Sequence, residues 1–147
     1  MSAPGEKNNP IPQGKYVSAS RFGNIIYTAG MTPRDNGVLI HSGKVSTTEP
    51  LSIYKAAVRQ AAANALTAAV NVLTKQERPE QLQVLLLNIY VNAEETFEAH
   101  AKLADFASEY LLETMGNAGI GSRAAIGVAS LPGNAPVEIQ LVAAVTN

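Results

Sequence analysis

Apolar and polar positions along this chain change their period several times, and each change marks an element. Tyr16-Val17-Ser18-Ala19-Ser20 reads as a first strand, and Arg21-Phe22-Gly23-Asn24 as the turn after it. Gly23 and Asn24 both tolerate positive φ, so the β-branched and aromatic run Ile25 to Gly30 is predicted to close a hairpin. Thr32-Pro33 through Gly37 reads as a loop, and Val38-Leu39-Ile40 as a short third strand before Ser42-Gly43. The period then becomes helical. Leu51, Tyr54, Val58, Ala62, Ala65, Ala69 and Val72 predict a helix from Leu51 to Leu73, capped by Thr47 or Thr48, with Glu49 and Pro50 in its first turn. Arg78-Pro79 is its expected stop. The alanines give it a small-residue face that can lie close on a sheet.

Gln83 to Asn92 is predicted to be a central strand buried on both faces. Asn92 and Glu95 form a capping-box-like start for a second helix, with Phe97, Ala101, Ala104, Ala107 and Leu111 on one face and a stop at Gly116-Asn117. Gly119 to Ser122 reads as a mobile loop, followed by strands over Arg123 to Ser130 and Val137 to Val145. The order is β-β-β-α-β-α-β-β, without a repeat of solenoid period. This predicts an α+β fold with a mixed sheet and both helices packed on one face. The other face then needs a partner.

Length and composition narrow the picture. A chain of 147 residues, 46% hydrophobic and 16% charged, is expected to form one domain, with residues 1–13 as an extended lead-in. The low charged fraction points, like the bare sheet face, to self-association. A formal charge of −1 and scattered basic residues give no field for nucleic acid or an acidic membrane. There is no cysteine, which removes disulfides, thiolate nucleophiles and cysteine metal sites. The N-terminal residues hold no apolar signal core, and the longest apolar run, broken at Asn88, is too short to span a bilayer. The expectation is a soluble, cytoplasmic protein. His41 and His100 lie in unrelated elements without acidic neighbours at ligand spacing, so no metal site is expected. Gly119-x-Gly121 lacks the strand and helix that frame a phosphate loop. Asp105, Glu109 and Glu113 read as a solvated stripe or an interface lining.

Two stretches bear on identity. One is Gly14-Lys15-Tyr16-Val17-Ser18 with Gly23-Asn24-Ile25-Ile26-Tyr27-Thr28-Ala29-Gly30-Met31-Thr32-Pro33. The other is Ser122-Arg123-Ala124-Ala125-Ile126-Gly127-Val128-Ala129-Ser130-Leu131-Pro132, followed by Glu138-Ile139. In these, and in the order of elements between them, the chain resembles the RidA/YjgF family, also described as endoribonuclease L-PSP. The resemblance implies a chorismate-mutase-like fold assembled as a trimeric, barrel-like ring. It also implies clefts between subunits, and hydrolysis of reactive 2-enamino or 2-imino acids to 2-oxo acids and ammonia with no cofactor or metal.

The same resemblance gives Arg123, Glu138 and Tyr16 as catalytic candidates, with Arg123, Tyr16, Ala29, Gly30 and Ala125 around the substrate. A guanidinium offers two parallel N–H bonds to a substrate carboxylate. A glutamate can hold or deprotonate the attacking water, general base help being worth about 10²–10⁴-fold. Without the resemblance, Arg123 reads as a surface or interface ion-pair residue, Glu138 as the solvent position of an alternating strand, and Tyr16 as interface packing. This chain departs from the family at Ala29, where a serine is usual, at Ala125, where a cysteine is usual, and at Ala101, where asparagine is frequent. The departures imply a roomier, less polar cleft and leave a second reading, a non-catalytic trimer that binds small carboxylates. RNA cleavage is not expected of a neutral chain with no basic stripe and no paired histidines.

Overall fold

A computed structural model describes residues 10–147, so residues 1–9 of the expected lead-in lie outside the described residues. The first hairpin forms at the Gly-Asn pair. β1 (Ala19–Phe22) runs antiparallel to β2 (Ile25–Thr28), with Phe22 opposite Ile25. Gly23 takes φ 60° at the first central position of this two-residue turn, whereas Asn24 does not use the left-handed region. Both strands are shorter than expected. Tyr16 folds back so that its hydroxyl accepts the Gln13 N–H at 3.0 Å, and the chain beyond Thr28 irregularly bridges Met31 to Ile139.

The expected third strand exists but lies outside the main sheet. β4 (Val38–Leu39) pairs with β3 (Arg34–Asp35), a segment expected to be loop, across Asn36 and Gly37 at φ 51° and 84°. Two positive φ values in a two-residue turn make a primed hairpin.

The first helical region opens as a 3₁₀ turn over Leu51–Tyr54 and continues as α1 (Lys55–Val70). Neither Thr47 nor Thr48 caps it. The Thr47 N–H donates instead to Glu94 at 2.6 Å, and the Thr48 N–H to Ser46 Oγ at 3.1 Å. The helix stops at Val70, well before Arg78-Pro79, because the following residues turn back to meet β1. The Arg21 guanidinium there grips both oxygens of Glu77, at 2.6 and 2.7 Å, and reaches the Val72 carbonyl at 3.4 Å. Arg21 and the Thr74 N–H hold the Glu77 carboxyl down at about 2. A depressed carboxylate stabilises the fold above its unfolded value and loses that contribution as pH falls towards the folded one. Glu77→Gln is therefore expected to lower the melting temperature at pH 7. The gap to wild type should close between about pH 5 and pH 2 in thermal melts.

Alanines 57, 61, 62, 63, 65, 68 and 69 are all buried on α1, which packs against both the sheet and the second helix. β5 (Leu82–Asn92) is an interior strand of the sheet, but only one of its faces is buried. Leu82 and Val84 point to the core, a bulge intervenes at Leu85, and Leu87, Ile89 and Val91 resume on the same side. The extra residue switches the inward parity from even to odd.

The second helix, α2 (His100–Met115), starts later than expected. Asn92 ends β5 instead of capping a helix. It is wholly buried, its Oδ1 accepts Lys44 Nζ at 2.9 Å, and its Nδ2 donates to Asn134 Oδ1 and the Ala135 carbonyl, both at 3.0 Å. Phe97 precedes the helix and Ala101 is exposed; the buried stripe is Leu103, Ala104, Ala107, Tyr110 and Leu111. Gly116 ends α2 as the sequence predicts. The expected mobile loop is closely packed, since a Cβ on Gly121 would lie 2.5 Å from the Val84 carbonyl.

β6 (Ser122–Val128) is parallel to β5, and β7 (Val137–Val145) is antiparallel to both β5 and β2. The sheet order β1-β2-β7-β5-β6 is mixed, with both helices on one face, as expected of an α+β fold of this kind. The opposite face exposes Phe22, Tyr27 and Ile126. Among the described residues no helix is long and apolar enough to cross a membrane.

Candidate functional site

Strand register places the two charged candidates on different faces. On β7, Val137, Ile139 and Leu141 point to the helices, so Glu138 points away from them. On β6, Ala124 and Ile126 lie beside Asn88 and Tyr90 on the open face, which turns Arg123, Ala125 and Gly127 towards α2. β5 separates the two strands, and Arg123 lies level with Leu87 while Glu138 lies level with Tyr90. From strand spacings their backbones are roughly 14 Å apart.

Around Glu138 the structure gathers one group of candidates. Its carboxylate lies over Gly30, where an added Cβ would collide with Oε2 and come within 2.7 Å of Cδ. Tyr16 and Gly30 line a common cleft of about 30 Å³ with Ile11, Gln13, Thr32 and Arg34, space for about one water. Asn64 of α1 shapes its wall by donating to the carbonyls of Thr32 and Arg34, at 3.2 and 2.8 Å. Ala29 is fixed next to it through its N–H, which donates to the Ser18 carbonyl at 2.8 Å. Glu138 is half-buried and has no hydrogen-bond or ionic partner among the described residues, and burial raises its carboxyl above the ordinary value. Such a carboxyl can both accept and return a proton closer to neutrality.

Gly30→Ala tests this arrangement. The nearest obstacle is the end of a flexible side chain, so the fold tolerates the methyl while the carboxylate must swing away. We expect the melting temperature to stay within a few degrees. Any turnover that uses Glu138 should fall about tenfold, and the acidic limb of its pH profile should move down as the carboxyl gains solvent.

The second group lies against α2. Arg123 Nη1 donates to Asp105 Oδ1 at 2.7 Å and to Ser108 Oγ at 3.1 Å, and Nη2 donates to the Ala101 carbonyl at 3.2 Å. The ion-pair reading of Arg123 from the bare sequence is thus realised within its own chain. Ala125 packs against the core beside it. Farther along the strand, His100 stands over Gly127, whose added Cβ would lie 2.8 Å from Nε2, and meets Phe97 edge-on at 5.0 Å. Asp105 and Glu113, expected in a solvated stripe or an interface lining, remain exposed and pair with Arg123 and Arg59. Sequence reading missed Asp105 and Ser108 as partners of Arg123; their one signal was α2 and β6 lying next to each other in the chain.

Comparison with known proteins follows the same outline. The family model described as endoribonuclease L-PSP matches residues 6–145. Protein TCP17 of Trypanosoma cruzi is 27% identical over 137 residues, covering 92% of this chain and 84% of its own. A crystal structure of a putative endoribonuclease from Shewanella oneidensis MR-1 superposes with a TM-score of 0.84 at 27% identity, over 93% of this chain and 89% of that one. The YjgF gene product of E. coli shares the fold at a TM-score of 0.66 and 20% identity, over 100% of both chains. With its residues from the first strand to the last matched, the chain belongs to the endoribonuclease L-PSP family, that of YjgF and RidA.

Proposed function

We propose that this protein hydrolyses reactive 2-imino and 2-enamino acids to 2-oxo acids and ammonia, at clefts formed between copies of the chain. The observation that carries the reading is the half-buried carboxylate of Glu138, unpartnered among the described residues and set over Gly30 beside the Tyr16 cleft. Arg123 lies on the other face of the same sheet, so one chain cannot apply both groups to one small molecule. Three copies arranged in a ring would bring the Arg123 face of one chain to the Glu138 face of the next. The exposed Phe22, Tyr27 and Ile126 supply apolar surface for that assembly.

The chemistry requires only a clamp, a placed water and proton transfers. Arg123 holds the substrate carboxylate. Water, held by Glu138, adds to C2 of the protonated C=N group; a C–O bond forms, the C=N π pair moves to nitrogen and one water proton goes to Glu138. Glu138 returns that proton to the amino group of the carbinolamine, ammonia leaves as the C–N bond breaks, and the hydroxyl proton passes to solvent as the 2-oxo acid forms. An enamine first takes a proton at C3 to become the imine. Tyr16, whose hydroxyl accepts from the Gln13 N–H, keeps its own O–H to donate to the water or the substrate. Phosphodiester cleavage, which the family's description suggests, asks for paired acid and base groups on a cationic surface. His41 and His100 pack instead against Tyr54 and Phe97, in separate elements.

A second reading, a non-catalytic binder of small carboxylates, is favoured by Ala29, Ala101 and Ala125 at positions where the family resemblance leads one to expect polar groups. Semicarbazide competition separates the two. Imino acids made in situ by an amino-acid oxidase should disappear faster with the protein present. No acceleration with small, branched or aromatic imino acids, together with a rise in melting temperature on adding 2-oxo acids, would establish the binder instead.

A further inference from the structure

We propose that Asp105, with Ser108, is a positioning residue that fixes the Arg123 guanidinium for an incoming carboxylate; the inference rests on the hydrolase reading. A guanidinium has five N–H donors in a rigid plane. Asp105 Oδ1 and Ser108 Oγ take the two on Nη1, at 2.7 and 3.1 Å, and the Ala101 carbonyl takes one on Nη2, at 3.2 Å. All three acceptors belong to α2, so they fix both the place and the plane of the fork. Left over are the Nε–H and the second Nη2–H, two donors on neighbouring nitrogens, the number a carboxylate accepts side by side.

The surroundings explain why such a brace is needed. Ala125, the next residue of β6 on the same side, offers only a methyl group beside the long arginine stem. The Arg123 side chain is only 24% exposed, whereas that of Asp105 is 57% exposed. An exposed ion pair adds little to stability. The contribution of Asp105 therefore lies in the conformational freedom it removes from Arg123 before the substrate arrives. It also partly neutralises the guanidinium, so a residue that merely competed for Arg123 would have the opposite effect on affinity when removed.

The experiment measures KM and kcat for imine hydrolysis, and calorimetric Kd for pyruvate as an inert 2-oxo acid, on the assembled full-length protein. Asp105→Ala is expected to raise KM and Kd about tenfold with a smaller change in kcat, the value of one charge-assisted hydrogen bond. Asp105→Asn, which keeps an acceptor on Nη1, is expected to recover most of the loss, and Ser108→Ala to show a milder form of it. Unchanged or tighter binding by Asp105→Ala would overturn the proposal. Arg123→Ala, run beside it, separates the failures. If that variant loses activity and Asp105→Ala does not, only the positioning role falls. If neither changes turnover, the clamp itself is wrong.

Discussion

Arg123→Ala is expected to lower kcat/KM for 2-imino acids by roughly 10²–10³-fold, the effect of removing a bidentate cationic partner from a small anionic substrate. Both substrate affinity and orientation depend on the same guanidinium, so kcat and KM should move together. The fold should barely register the change. The partners Arg123 leaves behind are a mostly exposed carboxylate, a hydroxyl and a carbonyl at the helix start, all within reach of water. Semicarbazide competition and a thermal melt on the same preparation give both readouts. Full turnover by the variant would refute the clamp; a large drop in melting temperature would make Arg123 a structural residue first.

Asn92→Leu is the opposite kind of substitution, expected to unbalance the fold and reach the chemistry only through it. Its side chain makes three hydrogen bonds at zero exposure, while its backbone N–H donates to Pro136 and its carbonyl accepts from Val45. Leucine keeps the backbone bonds but strands the Ala135 carbonyl in the interior, while the exposed Asn134 side chain can turn to water. A buried polar group left unsatisfied costs about 1–3 kcal/mol, so a loss of about 2 kcal/mol is expected. For a chain of 147 residues that corresponds to a fall of roughly 4–8 °C in melting temperature. Lys44→Met, which removes the cation but spares both Nδ2 bonds, should lose less, because the exposed ammonium gives up only its bonds to Asn92 and Ala129. Equal losses in the two variants would place the anchor of this junction at Lys44.

Much of this architecture was legible because long elements repeat a pattern. β7 runs over the expected residues because Val137, Ile139, Leu141, Ala143 and Val145 alternate without a break. The alanines of α1 and the stop at Gly116 were equally plain. What was missed has physical reasons. β3 and β4 have two residues each, too few for any periodicity. Asn92 and Glu95 carry the letters of a capping box, yet the asparagine amide finds better partners in the loop at Asn134 and Ala135. The bulge at Leu85 lets apolar residues run continuously along β5 although one face is open. For the site, the outward direction of Glu138 could be read from its neighbours. Arg123 could not be placed in the same way. Alternation on β6 would send Ile126 inward, whereas Ile126 is 49% exposed and the small residues Ala125 and Gly127 face α2, letting His100 lie close. The Gly30 contact with Glu138 joins residues far apart in the chain, and nothing local announces it.

The placement of Arg123 and Glu138 on opposite faces of one sheet also bears on inheritance. On the reading proposed above, each cleft borrows its clamp from one chain and its base from another, so no single chain completes a cleft by itself. An allele without the arginine and an allele without the glutamate would each be inactive alone. Expressed together, they would assemble some rings in which an intact arginine meets an intact glutamate, and a cell carrying both would regain part of the activity that neither could supply.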